Sequence, residues 1–446
     1  MKKMKTMAVI LAALMVIFLF AACGNTAAPP ASSGGGTTDT PAAAAPSGNA
    51  PAAVKVGILN PTTGPLAGMG EGGWIDDWFK DYINNDLGGF YFADYDATLP
   101  VEFITYDTAS SADKAAEMAT KLITDDQVHI LIPRHTPDTV VPVCVVGEQY
   151  GTPVLAMDCP GGAYQGNISD PYWSFLAHPD NYVYQRAYCG IWEEAGYTPG
   201  APNAKVGWVF ANDLDGTVLS PGFAAYALEW GWEILDPGLY SSGTNDYSSL
   251  INQFKDANLE IIYGVMNNPE FATFWTQCLQ LGYKPKIVTI GKAFMLESQA
   301  MAIGADIMDG ITNECWWDPR FPFKSSIMNM DGMEFKAIYE QNTGLKLASP
   351  QGAKFASMEL LIDCLTRADS LEPEAIRKAQ LVTNLDTIMG PIEYGETFPN
   401  YCVTPVVGAQ WILNPDGSLH SELVAYGVYP EIGTTAPVKT TGRAWE

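Results

Sequence analysis

Two carboxylates stand where a carboxylate could grip a ligand. Asp158 follows the apolar run that ends at Met157, and Asp215 follows the run that ends near Phe210. A carboxylate just past a parallel strand can accept charge-assisted hydrogen bonds from an amine. It can equally be a solvated loop cap, and the sequence leaves both readings open. Trp316 and Trp317, followed by Asp318-Pro-Arg-Phe-Pro-Phe, offer large apolar area with a polar N–H. Such a pair suits a cleft wall or packing between lobes. Catalytic chemistry has no visible constellation: there is no Gly-x-Ser-x-Gly, no P-loop and no Cys-x-x-Cys. The histidines, His129, His135, His178 and His420, lack metal-ligand spacing, so no metal and no cofactor are expected. Gly68-Met-Gly70-Glu-Gly72-Gly73 has the letters of a dinucleotide fingerprint. That motif must sit directly at a strand end, whereas here Asn60 to Ala67 intervene, and Glu71 would face a pyrophosphate. A flexible loop opening a helix is the expectation.

Cys23 carries a different chemistry. Lys2, Lys3 and Lys5 precede an apolar run from Met7 to Ala22, and Gly24 to Ala53 contains only Gly, Ala, Pro, Ser, Thr, Asn and Asp. A charged n-region and a short h-region read as a secretory signal over residues 1–22. Leu19-Phe-Ala-Ala-Cys23 resembles a lipobox, which implies lipid on Cys23. Several lipid chains together anchor a protein stably. Residues 23–53 then form a lipidated, core-less tether holding a body off the membrane.

The body from Val54 is too long for one ordinary domain and suggests two. The 446-residue chain has net charge −26, and the three lysines before Cys23 leave about −29 on the exported part. That disfavours nucleic acid and anionic lipid as partners. Seven cysteines follow Cys23 at irregular spacings; they read as buried free thiols, with one or two disulfides left open that the sequence does not pair.

The elements that must position these groups alternate. Strands are expected at Val54–Leu59, Val101–Tyr106, Val128–Ile132, Pro153–Met157, Lys205–Phe210, Glu260–Val265 and Lys286–Ile290. Helices are expected at 74–83, 111–124 with a capping box from Ser110 to Asp113, 138–150, 182–195, 221–230, 247–257 and 270–281. Two βα series predict an α/β fold of two lobes with parallel sheets, and ligands outside the carboxyl ends of strands. The tail is mostly helical over 332–380, and then reads as late strands at 402–413 and 418–428 around Asn414-Pro-Asp-Gly.

Four segments now carry a resemblance. Val54-Lys-Val-Gly-Ile-Leu-Asn-Pro-Thr-Thr-Gly-Pro-Leu-Ala, Tyr106-Asp-Thr with Ala112 to Leu122, Gly151-Thr-Pro-Val-Leu, and Gly243-Thr-Asn-Asp-Tyr-Ser-Ser-Leu-Ile resemble the type I periplasmic-binding-protein fold. They are most similar to its branch of ABC-importer receptors for branched-chain amino acids, amides and urea. The resemblance implies two Rossmann-like lobes joined by three crossovers, with residues 54–177 and 315–389 in one and 178–314 and 390–446 in the other. It implies a monomeric extracytoplasmic receptor, not an enzyme, anchored to the cell membrane through Cys23. The receptor would bind a small polar or amino-acid-like solute between closing lobes and deliver it to importer permease subunits. A sensor for a membrane signalling receptor and a secreted enzyme are the alternatives. The family's ligand loops fall on His135, Thr136, Asp138 and Thr139, on Asp158 and Cys159, and on Asp215, Asn267, Asn268 and Lys292, with Trp316 or Trp317 alongside. Lys292 stands where the family often has an acidic residue for an α-ammonium. An amine held in another way, or a neutral solute rich in N–H donors, is therefore expected.

Overall fold

The computed structural model describes residues 50–395 and 400–441; Cys23, its signal segment and most of the tether lie outside that range. Leaving aside three two-stranded hairpins, the strands in chain order are β1 (Val54–Asn60), β2 (Val101–Asp107), β3 (Ile130–Pro133), β4 (Val154–Ala156), β5 (Ser174–Ala177), β6 (Val206–Phe210), β7 (Ile234–Leu235), β8 (Ile261–Val265), β9 (Ile287–Gly291), β10 (Thr312–Cys315), β11 (Tyr401–Cys402), β12 (Val407–Leu413) and β13 (Leu419–Ala425). They form two sheets, ordered β11-β5-β4-β3-β1-β2 and β13-β12-β10-β9-β8-β6-β7. The first sheet is parallel throughout, with Val56 opposite both Phe103 and Ile130. The second is parallel up to β10, after which β12 and β13 run antiparallel. Helices cover the sheets, so central strands such as β3 and β8 are buried along their whole length. The architecture is the expected pair of Rossmann-like lobes.

The chain passes between the sheets three times: after β5, after β10 and between β11 and β12. In each sheet the strand order reverses beside the lobe's first strand. The switch points lie between β1 and β3 and between β6 and β8. Crevices open there because adjacent loops leave in opposite directions.

Several expectations needed correction. The helix Ala112–Thr124 is capped by Ser111, whose hydroxyl accepts from the Lys114 N–H at 3.4 Å. Ser110, the expected cap, donates to the Thr63 carbonyl and accepts from the Leu66 N–H, pinning the loop after β1. The single strand expected over 402–413 is two strands in different sheets, separated by a segment containing Pro405, which has no N–H for a ladder. Tyr401 and Cys402 thus pair with β5 in the first sheet, within the span assigned from sequence to the second lobe. Strands β5 and β10 were not anticipated. β10 reads Thr-Asn-Glu-Cys yet is wholly buried; Thr312 shares a 2.8 Å hydrogen bond with Thr289, and Glu314 accepts one from Tyr188. All seven cysteines of the described region are buried. Among the described residues no helix is long and apolar enough to cross a membrane.

Candidate functional site

The loops after β3 and β4 meet the loops after β6 and β9. The β3 loop is held in an unusual shape: His135 and Thr136 have φ of +63° and +66°. Side chains rarely adopt this left-handed region, at a cost of order 1–3 kcal/mol per residue, and such strain gathers at ligand clamps. Pro137 then starts the helix Pro137–Tyr150, its missing N–H being no loss at that position. Thr136 is the N-cap residue, yet its hydroxyl makes no cap bond, leaving a buried oxygen without a partner. Its backbone N–H donates to the Asp158 carbonyl at 2.9 Å and ties the β3 loop to the β4 loop.

On the other lobe Lys292 follows β9 with φ +70°. A Cβ on Gly291 would stand 2.8 Å from the Tyr188 hydroxyl and 3.0 Å from Glu314, so glycine lets the loop approach both. The Lys292 N–H donates to Glu314 Oε1 at 2.8 Å, and the Tyr188 hydroxyl donates to Glu314 Oε2 at 3.1 Å. The Lys292 ammonium lies 2.5 Å from Asp215 in its own lobe and 3.4 Å from Asp138 across the cleft. Carboxylate oxygens of Asp138, Asp213 and Asp215 lie within 4.8 Å of one another around it.

Between these loops is a pocket lined from both lobes by Thr136, Asp158, Asp215, Lys292, Glu314 and Trp316, and by His178, Tyr184, Tyr188 and Phe223. Its free volume is about 40 Å³, room for a few waters. A ligand of several heavy atoms therefore needs the lobes farther apart. A larger hollow of about 430 Å³ lies by the crossover after β10, lined by residues such as Trp317, Arg320, Lys336 and His420. The β3, β4, β6 and β8 loops that leave the switch points do not reach it. The smaller pocket is the better candidate, since the strand ends converge there and Thr136 Oγ1, Asp158 Oδ1 and Trp316 Nε1 are buried in it without partners.

Burial dominates the electrostatics. It pushes Asp158 up to about 7 against the pull of Arg134 and Lys354. It pushes Glu314 up to about 7 despite the N–H of Lys292. It raises Asp215 against Lys292, with Asp138 and Asp213 adding to the rise. Burial alone would lower Lys292, but Asp215, Asp138 and Asp213 carry it above the ordinary lysine value, so the ammonium stays charged. Burial, with Lys354 and Arg134, holds His135 well below its ordinary value. Its ring is thus neutral beside Asp158, with Nδ1 and Oδ2 3.1 Å apart and not aligned for a hydrogen bond.

Thr136, Asp158, Asp215, Lys292 and Trp316 are brought together, and Asp138 joins them through Lys292. Thr139 is placed elsewhere: its hydroxyl donates to the carbonyls of Arg134 and His135, bracing the loop from beneath. Cys159 is buried with its thiol toward the Pro160 carbonyl. Asn267 and Asn268 begin the helix Asn268–Gln280 outside the pocket lining. Trp317 packs on Gly352 and donates to the Ile388 carbonyl at 2.8 Å. The reading from sequence missed Glu314, hidden in the polar β10, and His178. It also missed Tyr184 and Tyr188, whose four-residue spacing puts them on one face of the helix after the first crossover.

Comparison with known proteins agrees with the fold. A model of the periplasmic binding protein family matches residues 53–407. A Leu/Ile/Val-binding protein homologue of Brucella melitensis is 22% identical over 411 residues, covering 88% of this chain and 96% of the relative. The leucine-binding protein of Thermotoga maritima superposes with a TM-score of 0.69 at 19% identity, over 83% of this chain and 98% of that one. A solute-binding protein of an ABC transporter from Rhodopseudomonas palustris, in complex with 3,4-dihydroxybenzoic acid, gives 0.67 at 18% identity, over 87% and 99%. The chain belongs to the periplasmic binding protein family.

Proposed function

We propose that this member of the periplasmic binding protein family is the extracytoplasmic receptor of an ABC importer, binding a small polar or amino-acid-like solute between two lobes that close on it. The observation that carries the reading is the pocket at the strand ends, lined from both lobes by residues that include Thr136, Asp158, His178 and Trp316, each with a buried polar atom without a partner. A solute that fills it completes their hydrogen bonds and ties the lobes together. Relatives named for leucine, isoleucine and valine support an amino-acid-like solute, and the three crossovers between the sheets supply a hinge. Transport requires permease and ATPase chains as partners. The lipobox-like segment before Cys23 supports a membrane anchor on a monomeric receptor.

The test is a thermal-shift screen of the purified protein against amino acids, amides, ureas, polyamines and aromatic acids, followed by small-angle scattering with the best compound. At a hundredfold excess over its dissociation constant a ligand adds ~2.7 kcal/mol. A shifted melting temperature with a smaller radius of gyration supports the receptor. Absence of both across the whole screen defeats it. Lipid labelling of the full chain that persists in Cys23→Ala would defeat the anchor alone.

A further inference from the structure

The pocket carries more acid than an α-amino acid needs. Asp158, Asp215 and Glu314 line it, Asp138 and Asp213 stand beside Asp215, and the lining holds one ammonium, that of Lys292. Arg134 and Lys354 lie behind Asp158 but face other partners. Arg134 is 2.8 Å from Asp76, and Lys354 donates to the Gly70 carbonyl at 3.0 Å. The same space is walled by Tyr184, Tyr188, Phe223 and Trp316. Aromatic faces attract a cation, most strongly when the cation is out of water. Carboxylates beside those faces add to the attraction. Lys292 displays the preference, since its own ammonium has settled among three of the acids. Asp158 Oδ1 remains buried with no donor. An acceptor stranded in this way is costly to leave unpaired, and a ligand N–H at that point would recover the cost.

We infer that the solute is a small organic cation whose N–H group donates to Asp158 and whose body lies among Tyr184, Tyr188, Phe223 and Trp316. This rests on the receptor reading above and narrows its ligand. Trp316 Nε1 and Thr136 Oγ1 offer a second handle to any acceptor the cation bears.

Calorimetric titration of the purified protein with agmatine, putrescine, tyramine, leucine and 3,4-dihydroxybenzoate decides it. At least one of the three amines should bind at least tenfold more tightly than leucine and the benzoate. Asp158→Asn should weaken that amine at least tenfold, and Trp316→Phe, which keeps a ring but loses the N–H and the larger face, should weaken it severalfold. Leucine or the benzoate binding as tightly as every amine overturns the cation and leaves the receptor standing. Silence from all five overturns the cation, while the wider screen still judges the receptor. An amine that binds wild type and Asp158→Asn equally overturns the placement at Asp158. Because Asp158 neighbours a buried histidine, circular dichroism of each variant separates lost binding from lost folding, and Trp316→Phe tests the same pocket without touching that pair.

Discussion

Glu359 shows how far a single buried acid can depart from its ordinary behaviour. It lies fully buried on the helix Ser349–Arg367, accepts the Ile388 N–H at 2.9 Å and leaves Oε1 without a partner. Burial pushes it up to about 8, against the hydrogen bonds from Ser325 and Ile388. A carboxyl group whose folded pKa is raised binds more protons folded than unfolded. Its stabilising contribution is therefore complete below the ordinary glutamate value and is lost as pH rises toward about 8. Glu359→Gln keeps a neutral group of the same shape. The melting temperature of this variant should gain on wild type steadily from about pH 5 to about pH 8 and run parallel above that. A difference that stays constant over that range would mean that Glu359 is ionised throughout. The same physics limits what the sequence tells. Asp158 and Asp215 were legible as cleft residues because each follows an apolar run, but nothing in the letters distinguished Thr136, with its free hydroxyl, from Thr139, whose hydroxyl braces the loop.

At the scale of elements, packing between Trp317 and the helix Ser349–Arg367 fixes the second crossover to the first lobe. A Cβ on Gly352 would stand 2.2 Å from Trp317 Cδ2, and the indole N–H is pinned to the Ile388 carbonyl, so the ring cannot retreat freely. Gly352→Ala should cost ~1–3 kcal/mol by overpacking. This reads as a lower denaturant midpoint with an unchanged slope, and an unchanged midpoint would show that the ring moves aside at no cost. Most elements were legible because parallel strands buried on both faces are continuous apolar runs. β1, β3, β6, β8 and β9 all fit that pattern. β10 failed to show because it is polar in its letters, while Thr312 and Glu314 find hydrogen-bond partners on neighbouring elements inside the protein, and Glu314 was lost with it. The break between β11 and β12 was missed because residues on both sides are apolar, and only Pro405 marks it.

At the scale of the molecule, several contacts bridge the lobes, and two of different kinds lie near the cleft. One is steric: a Cβ on Gly68, in the short helix Ala67–Gly70 after β1, would stand 2.7 Å from Gln299 Nε2 of the second lobe. The other is electrostatic, the 3.4 Å approach of Lys292 to Asp138. The Asp138 side chain is about a quarter exposed, with a relative accessibility of 26%, so solvent screens the pair and its worth is ~0.5–1 kcal/mol. That changes the ratio of closed to open lobes by ~2–5-fold. Asp138 does not line the pocket, so its effect on a solute runs through closure. Asp138→Asn should therefore enlarge the radius of gyration of the unliganded protein in small-angle scattering. It should also strengthen apparent affinity, by up to ~5-fold, because the closed form this pair holds has too little room for a solute of several heavy atoms, which must first open it. Salt supplies the control. Raising ionic strength screens the same pair, so it should open wild type slightly and open Asp138→Asn less. Equal scattering from the two proteins at every salt concentration would mean that Lys292 is held by Asp215 alone, with Asp138 beside it as a bystander.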